Sequence, residues 1–387
     1  MEHHLLVISN SRPSYARSHL IGHVSLADLA AGRLQDLASL QYSAVVLHSY
    51  PGPKGEKGPM ATLLREIPAQ VPIGWIGWGY DYYPDLIFGD PTGDSQYLPE
   101  TRAILRQLAR QQTIRKCADF RTWSPHRLRR RLARSMHRAH DLTGVHPAGL
   151  GATFDRFSLF APRLPREYAL VAKKFSESIP PFAEFHYRDV ETYRIFEHLR
   201  HSGSLSPTAS GLLVGNAAEP VVNHLDALVS LGRHGVVFPL VTFPGAYGNA
   251  RYLDLVQRYF RKRYSASSVV MREFLPLKEY AERINQYSAF FHAGLRNHGG
   301  WNISAMLAGN RRIFLRSENP LLSHLREVGA VVHEFSDLAY SSQLWAEPFD
   351  AVERRQADEY WDLQVAHSDS RIVNIEFINR LLDCRNK

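Results

Sequence analysis

Cysteine is nearly missing: the 387 residues hold two, Cys117 and Cys384, far apart and in no CxxC pairing. That excludes a disulfide framework and a thiolate metal centre, and it fits a reducing compartment. No uninterrupted apolar run approaches the roughly 18 residues of a bilayer span. The opening Met1 to His4, followed only by the apolar Leu5 to Ile8, is too short and wrongly flanked for a signal peptide. HExxH, zinc-spaced Cys and His, GxSxG and the EF-hand loop are all lacking, which removes zinc hydrolases, serine esterases and calcium sensors. GxxxxGK, GxGxxG and a clear DxD are lacking too, so Walker, dinucleotide and metal-dependent nucleotide-sugar sites lose support. No metal and no cofactor is expected. No repeat with a period of about 20 to 50 residues is visible, which argues against solenoids and propellers.

What is there is ordinary for a soluble α/β protein: 44% hydrophobic and 22% charged residues, with 25 Gly and 22 Pro. At about 100 to 200 residues per domain, the length predicts two domains. Short apolar runs at Leu5 to Ser9, Ala44 to His48 and Ile73 to Trp78 read as buried strands with helix-like segments between them. The stretch from His201 to Ser210, HSGSLSPTAS, reads as a linker.

The alternation then restarts. Strands are expected at Gly211 to Val214, Val236 to Val241, Val269 to Met271, Ala289 to Ala293 and Ile313 to Arg316. Helices are expected over His224 to Leu231, Ala250 to Arg263, Leu277 to Gln286 and Ile303 to Ala308, and over the amphipathic Ala351 to Val365 and Ile372 to Arg385. The expected domains are therefore 1–201, a linker at 202–210, 211–350, and closing helices over 351–387. Two open parallel sheets facing each other make a cleft at the carboxyl ends of their strands, where ligands of doubly wound folds bind.

Five constellations follow predicted strands or carry concentrated charge. Gly215, Asn216, Glu219 and Asn223 precede the helix at His224, a turn and helix N-terminus suited to a phosphate, or simply a structural turn and cap. Arg296, Asn297, His298, Gly299, Gly300, Trp301 and Asn302 combine two glycines, a cation and a second helix start, the makings of a diphosphate site or of a Gly-rich turn. Glu318 and Asn319 follow the next strand, where a carboxylate reaches a ribose or sugar hydroxyl, or caps a helix.

In the first half, Trp75 to Tyr83 reads WIGWGYDYY. Its aromatics suit sugar faces and Asp81 suits general-base work, or the run is core with Asp81 as a cap. His48, at a strand end, is a second candidate or a core histidine. From Arg115 to His140 there are nine Lys or Arg against the single acid Asp119, within a chain of formal net charge +8. Arg127, Arg130, Arg131, Arg134 and Arg138 recur at helical spacing, as on a basic amphipathic helix lying on an anionic membrane or on a solvated helix face. The aromatic interleaving of single-strand binders is absent there, so no nucleic acid is expected.

Taken together, WIGWGYDYY from Trp75, LLVGNAAEPVVNHLDAL from Leu212, PLVTFPGAYGNARYLDLV from Pro239 and the block from Leu275 through NHGGWNISAMLAGNRRIFLRSENP resemble the bacterial 4-acetamido-4,6-dideoxy-D-galactosyltransferases of glycosyltransferase family 56. These segments cover most of the second half and patches of the first. The resemblance implies a GT-B architecture of two Rossmann-like domains. It also implies a TDP-Fuc4NAc donor held mainly by the second domain, no obligatory metal, and a lipid-linked acceptor on the first. It departs at Asn297 to Asn302, where the family carries a glutamine-rich turn, which leaves the donor sugar open.

The expectation is thus a cytoplasmic hexosyltransferase peripheral to the inner face of the cytoplasmic membrane, acting between a TDP- or UDP-linked sugar and a polyprenyl diphosphate-linked or surface-glycan acceptor. Tyr247 and Asn249 would line the nucleotide pocket. Asp81 would be the base if the reaction inverts, and would orient the acceptor if it retains. The alternatives are a non-catalytic binder of anionic lipid or nucleic acid through the basic patch, and a GT-B-shaped sugar-nucleotide epimerase.

Overall fold

A computed structural model of the chain describes residues 5–9, 21–25, 43–50, 59–90, 94–118, 154–175, 178–187, 190–201 and 210–386. In chain order the strands are β1 (Leu5–Ser9), β2 (Ile21–Ser25), β3 (Val45–His48), β4 (Ile73–Ile76), β5 (Leu159–Ala161), β6 (Leu212–Val214), β7 (Val241–Pro244), β8 (Ser268–Met271), β9 (Ala289–His292), β10 (Arg312–Leu315) and β11 (His333–Glu334). The α-helices are α1 (Pro59–Glu66), α2 (Pro99–Ala118), α3 (Pro165–Ala172), α4 (Val190–His201), α5 (His224–Arg233), α6 (Ala250–Tyr264), α7 (Leu277–Ile284), α8 (Gly300–Ala308), α9 (Pro320–Glu327), α10 (Ala351–Ala366) and α11 (Arg371–Asp383). The basic patch at Arg127, Arg130, Arg131, Arg134 and Arg138 lies outside the described residues.

The chain divides into two compact units. Unit 1 comprises 1–91, 143–186 and 371–387, and unit 2 comprises 92–142 and 187–370. The division is not the linear one at 202–210, and each departure has a physical cause. Helix α2 begins at Leu98 and Pro99, which offer no capping side chain, so its free N–H groups need a partner elsewhere. Asp226 on α5 supplies it, accepting from Glu100 N, Thr101 N and Thr101 Oγ1 at 2.9, 2.9 and 2.7 Å. This long-range cap places α2 in unit 2.

The last two helices separate in the opposite sense. Helix α10 packs Tyr360 and Trp361 within unit 2, where Trp361 meets Phe196 of α4. Helix α11 belongs to unit 1: Phe377 and Leu381 are buried with Ile76, Leu159, Ala161 and Ala183. Gly74 makes that possible, because a Cβ there would stand 2.7 Å from the Phe377 ring. Asn374 completes the seam by exchanging hydrogen bonds of 2.9 Å with both backbone groups of His186.

Unit 1 holds a parallel three-stranded sheet in the order β3-β4-β5, and a parallel β1-β2 pair. Its core is aromatic: Trp75 stacks on Phe160 with centroids 4.3 Å apart and meets Tyr82 edge-on. Unit 2 holds a six-stranded sheet, parallel throughout, in the order β11-β10-β9-β6-β7-β8. Its strands read as the near-continuous apolar runs that burial on both faces demands. Phe291 and Phe314 stack across β9 and β10 at 4.5 Å.

Counted from β6, the order is that of a doubly wound nucleotide-binding sheet. Its direction reverses between β6 and β9. One expected strand shifts: Val236 to Leu240 is not strand, and β7 starts at Val241, paired with Leu212. Pro239 interrupts the earlier run, and Val237 is 75% exposed, so only the later residues have a buried ladder to join.

Candidate functional site

The loop after β6 and the turn after β9 flank the reversal point of the unit 2 sheet, the place where doubly wound sheets bind ligands. Their contact is close. Gly215 N donates to Phe291 O at 2.8 Å, and Gly299, at φ +73, approaches so near that a Cβ would stand 3.1 Å from the Asn216 carboxamide. Only glycine holds that backbone without strain. Beyond Gly299, α8 begins at Gly300, where a Cβ would meet nothing within 4 Å. A helix start with open space before it presents free N–H groups and the positive end of the helix dipole.

Asn216 is held by a residue that the motif reading passed over. Gly294 N donates to His292 Nδ1 at 3.2 Å, so the ring proton sits on Nε2, 3.2 Å from Asn216 Oδ1. With its oxygen taken, the Asn216 amide turns its Nδ2 toward the Tyr247 hydroxyl, 3.5 Å away. His292 is fully buried, and burial, reinforced by His298, His224 and Arg296, holds its pKa well below the ordinary value. The sequence signal was a single histidine ending the apolar run AFFH.

Two more histidines complete the cluster. Burial, then Arg296, lowers His298 to about 4, and burial, then His298, lowers His224 to about 3. All three are neutral near pH 7. His298 Nε2 is 3.8 Å from Glu219, while its Nδ1 and His224 Nε2 are buried without hydrogen-bond partners among the described residues. Arg296 is 6% exposed, and its charge is felt by His292, His298 and Tyr97. The Tyr97 hydroxyl, raised by burial and by Asp94, also senses Glu219.

Unit 2 thus brings together Gly215, Asn216, Glu219, Tyr247, Arg296, His298, Gly299 and Gly300, with Asn297 half-buried in the same turn. Other expected site residues serve the scaffold. Asn223, at φ 55, makes no side-chain cap for α5. Its Oδ1 accepts from Leu98 N, and its Nδ2 donates to Gln96 O and to Ala293 O. Asn249 caps α6 through Tyr252 N, while its own N–H joins Ala218 O at 2.7 Å. Asn302 donates to the Tyr280 hydroxyl at 2.9 Å.

Asn319 caps α9 through Leu321 N and pins the Arg296 turn by donating to Gly294 O and Arg296 O. Glu318 stands exposed after β10, bridged by Arg316 and Ser317. Burial raises its pKa, but the bonds from Arg316 and Ser317 outweigh that and leave it lowered.

Asp81 and His48 lie in unit 1. Asp81 is 4% exposed, and its carboxylate accepts from Tyr50 N, Trp75 Nε1 and Trp78 N at 3.0, 3.0 and 2.9 Å. Burial raises its pKa against those three bonds. The carboxylate ties the backbone after β3 to the loop after β4. His48 is exposed at the end of β3, edge-on to Phe185 at 5.9 Å.

Chemically, the unit 2 arrangement has the groups that suit an anion. A buried cation, a helix N-terminus, an oriented amide and neutral imidazoles converge there, the kind of donors that stabilise negative charge. Among the described residues, no group of three or more His, Cys, Asp or Glu is placed to hold a metal ion.

No family model matches the sequence, and no curated protein matches it. Solved structures do. A trehalose 6-phosphate synthase from Burkholderia multivorans superposes with a TM-score of 0.55 at 11% identity, covering 98% of this chain and 98% of its own. A sucrose-phosphate synthase from Thermosynechococcus elongatus gives 0.57 at 10% identity, covering 97% and 86%. An E. coli trehalose-6-phosphate protein bound with UDP-2-fluoro glucose gives 0.53 at 9% identity, covering 97% and 91%. The likeness extends over nearly the whole chain, and what this chain shares with these structures is the GT-B fold, α/β with two Rossmann-like domains.

Proposed function

We propose that the protein is a GT-B glycosyltransferase that moves a hexose from a nucleotide diphosphate donor to a glycan acceptor. The observation that carries this reading is the meeting of the Asn216 loop with the Arg296 to Gly300 turn at the reversal point of the unit 2 sheet. The diphosphate would lie against the α8 N-terminus with Arg296 as countercharge. Asn216, oriented by His292, would donate to it, and Tyr247 would border the nucleoside. Loss of the nucleotide leaves negative charge on that diphosphate, and preorganised donors there lower the barrier without needing to move. The fold neighbour bound with UDP-2-fluoro glucose supports a nucleotide sugar as the donor class.

The finer reading is a TDP- or UDP-linked amino-deoxy hexose and a polyprenyl diphosphate-linked acceptor, supported by the family 56 resemblance of the GN, NHLDAL and ENP segments. Work on such an acceptor would place the enzyme at the inner face of the cytoplasmic membrane. Among the described residues, no helix is long and apolar enough to cross a membrane. A thermal-shift titration with TDP, UDP, GDP and CMP tests the donor. Stabilisation by TDP or UDP is expected, about 2.7 kcal/mol at 100 times the dissociation constant, and it should vanish in Arg296→Ala. Indifference to all four nucleotides would overturn the reading.

A further inference from the structure

Two side chains of the NHLDAL segment, Asn223 and Asp226, act on the residues around the start of α2. Asp226 caps the helix at Glu100 and Thr101. Asn223 acts before the helix, where α2 needs no cap. Its Oδ1 accepts from Leu98 N at 2.9 Å and its Nδ2 donates to Gln96 O at 3.0 Å, so one carboxamide bonds the backbone on both sides of Tyr97. Asn223 is fully buried and takes φ 55, a left-handed backbone that favours glycine.

Further bonds close the same stretch. Tyr97 N donates to Asp94 O at 3.1 Å, Arg102 Nε donates to Asp94 O at 3.2 Å, and Leu98 packs against the unit 2 core. Backbone held before and after a residue fixes where its side chain starts. The Asn223 amide also donates to Ala293 O at 3.3 Å, while Asn319 holds Gly294 O and Arg296 O at 2.9 and 3.0 Å. Two buried asparagines thus tie the Tyr97 stretch and the Arg296 backbone to the turn after β9, and Tyr97 and Arg296 lie within electrostatic reach of each other. Burial, then Asp94, raises the phenol against the pull of Arg296, so it keeps its proton near neutral pH and is a donor.

We propose that Tyr97 is a diphosphate-binding residue of unit 2, its hydroxyl donating to the terminal phosphate beside Arg296, and that Asn223 is the residue that positions it. The assignment rests on the transferase reading. Under that reading Tyr247 borders the nucleoside and Arg296 the diphosphate, so a donor beside Arg296 meets the phosphate that a nucleoside monophosphate lacks. The phenol adds a neutral donor to a site where the guanidinium supplies the charge, and a hydrogen bond to an ionised phosphate is of the stronger kind. The NHLDAL segment then serves the site indirectly, by holding a residue that precedes α2.

Isothermal titration of the full chain with UDP and UMP tests both assignments, with TDP and TMP as the alternative pair. Tyr97→Phe should weaken the diphosphate about tenfold and the monophosphate by less than about twofold. Tyr340→Phe, at an exposed tyrosine of unit 2, should change neither. Asn223→Gly keeps the left-handed backbone and removes the carboxamide. It should weaken the diphosphate as well, and that loss should vanish in a Tyr97→Phe background, where the hydroxyl it positions is gone; a merely structural loss would add in full. Equal diphosphate affinity in wild type and Tyr97→Phe, or equal losses for UDP and UMP, overturns the Tyr97 assignment and leaves the transferase reading standing. Additive losses in the double variant overturn the positioning role of Asn223. Wild type that binds none of these nucleotides sinks the transferase reading and this assignment with it.

Discussion

Unit 1 buries Asp81 and Glu167, while unit 2 gathers His224, His292 and His298 and spends its buried acid, Asp226, on capping α2, and the two choices act oppositely. In unit 1, Glu167 accepts from the hydroxyls of Tyr82 and Tyr83 at 2.7 and 2.5 Å, and Asp81 accepts from three N–H groups. These are internal acceptors that tie loops to the aromatic core. In unit 2, His224, His292 and His298 stay neutral around the buried Arg296. A site that takes up negative charge gains from neutral donors and one cation, because buried acids there would repel the ligand. A loop that must keep its shape gains from a buried acceptor with several partners.

The comparison breaks most sharply at Glu167. Its removal in Glu167→Ala leaves two buried phenols and Leu164 N without their acceptor, at a cost of about 3 kcal/mol. The loss should appear in urea unfolding and as lost amide protection confined to unit 1. Nucleotide-dependent protection in unit 2 should persist.

A smaller effect per group, of opposite sign in the two units, comes from pH. The three histidines have folded pKa values below the ordinary 6.5, so between that value and about 4 the unfolded chain binds more protons than the folded one. Their contribution is present above 6.5 and is lost as pH falls. From pH 6.5 to 5, each of the three should cost unit 2 about 1.5 kcal/mol. Asp81 and Glu167 have folded values above the ordinary 3.8 and 4.5, so their contribution is present at low pH and lost as pH rises through the folded values. Amide exchange at the two pH values, expressed as protection factors, should show unit 2 loosening on acidification while these groups cost unit 1 nothing. Equal loosening of both units would break the comparison.

The regular elements of unit 2 were legible because each is local: apolar runs of strand length alternate with helical periodicity, and nearly every expected boundary falls within a few residues. The approach of the Gly215 and Gly299 loops was legible for the same reason, since glycines after buried strands mark where backbone approaches backbone. The role of each asparagine was not legible. Asn223 and Asn319 resemble ligand groups in sequence, yet their amides bind carbonyls brought close only by the folded sheet. Membership of α2 and α11 was equally hidden, because Asp226 and Gly74 act on partners more than a hundred residues away. His292 lay inside an apolar run that predicts only burial. Its use depends on Asn216, from a strand next to it in the sheet but 76 positions earlier in the chain.

The smallest effect on stability sharpens the comparison from the side of function. Glu318 is, with Glu219, an acid of unit 2 that the sequence assigns to the donor, and unlike Asp81 and Glu167 it is exposed. Its bonds come from Arg316 and Ser317, two positions and one position before it in the chain, so it ties no distant segments together. An exposed ion pair of this kind is worth little, and Glu318→Gln should change stability by less than about 0.5 kcal/mol. If a ribose or sugar hydroxyl binds there, the same substitution should weaken TDP or UDP about threefold to tenfold, since an ionised acceptor binds a hydroxyl more strongly than an amide does. Isothermal titration of the variant reads both the affinity and the enthalpy. Unchanged affinity would make Glu318 a surface residue held by its neighbours, and Glu219 would be the one acid left among those the sequence assigns to the donor.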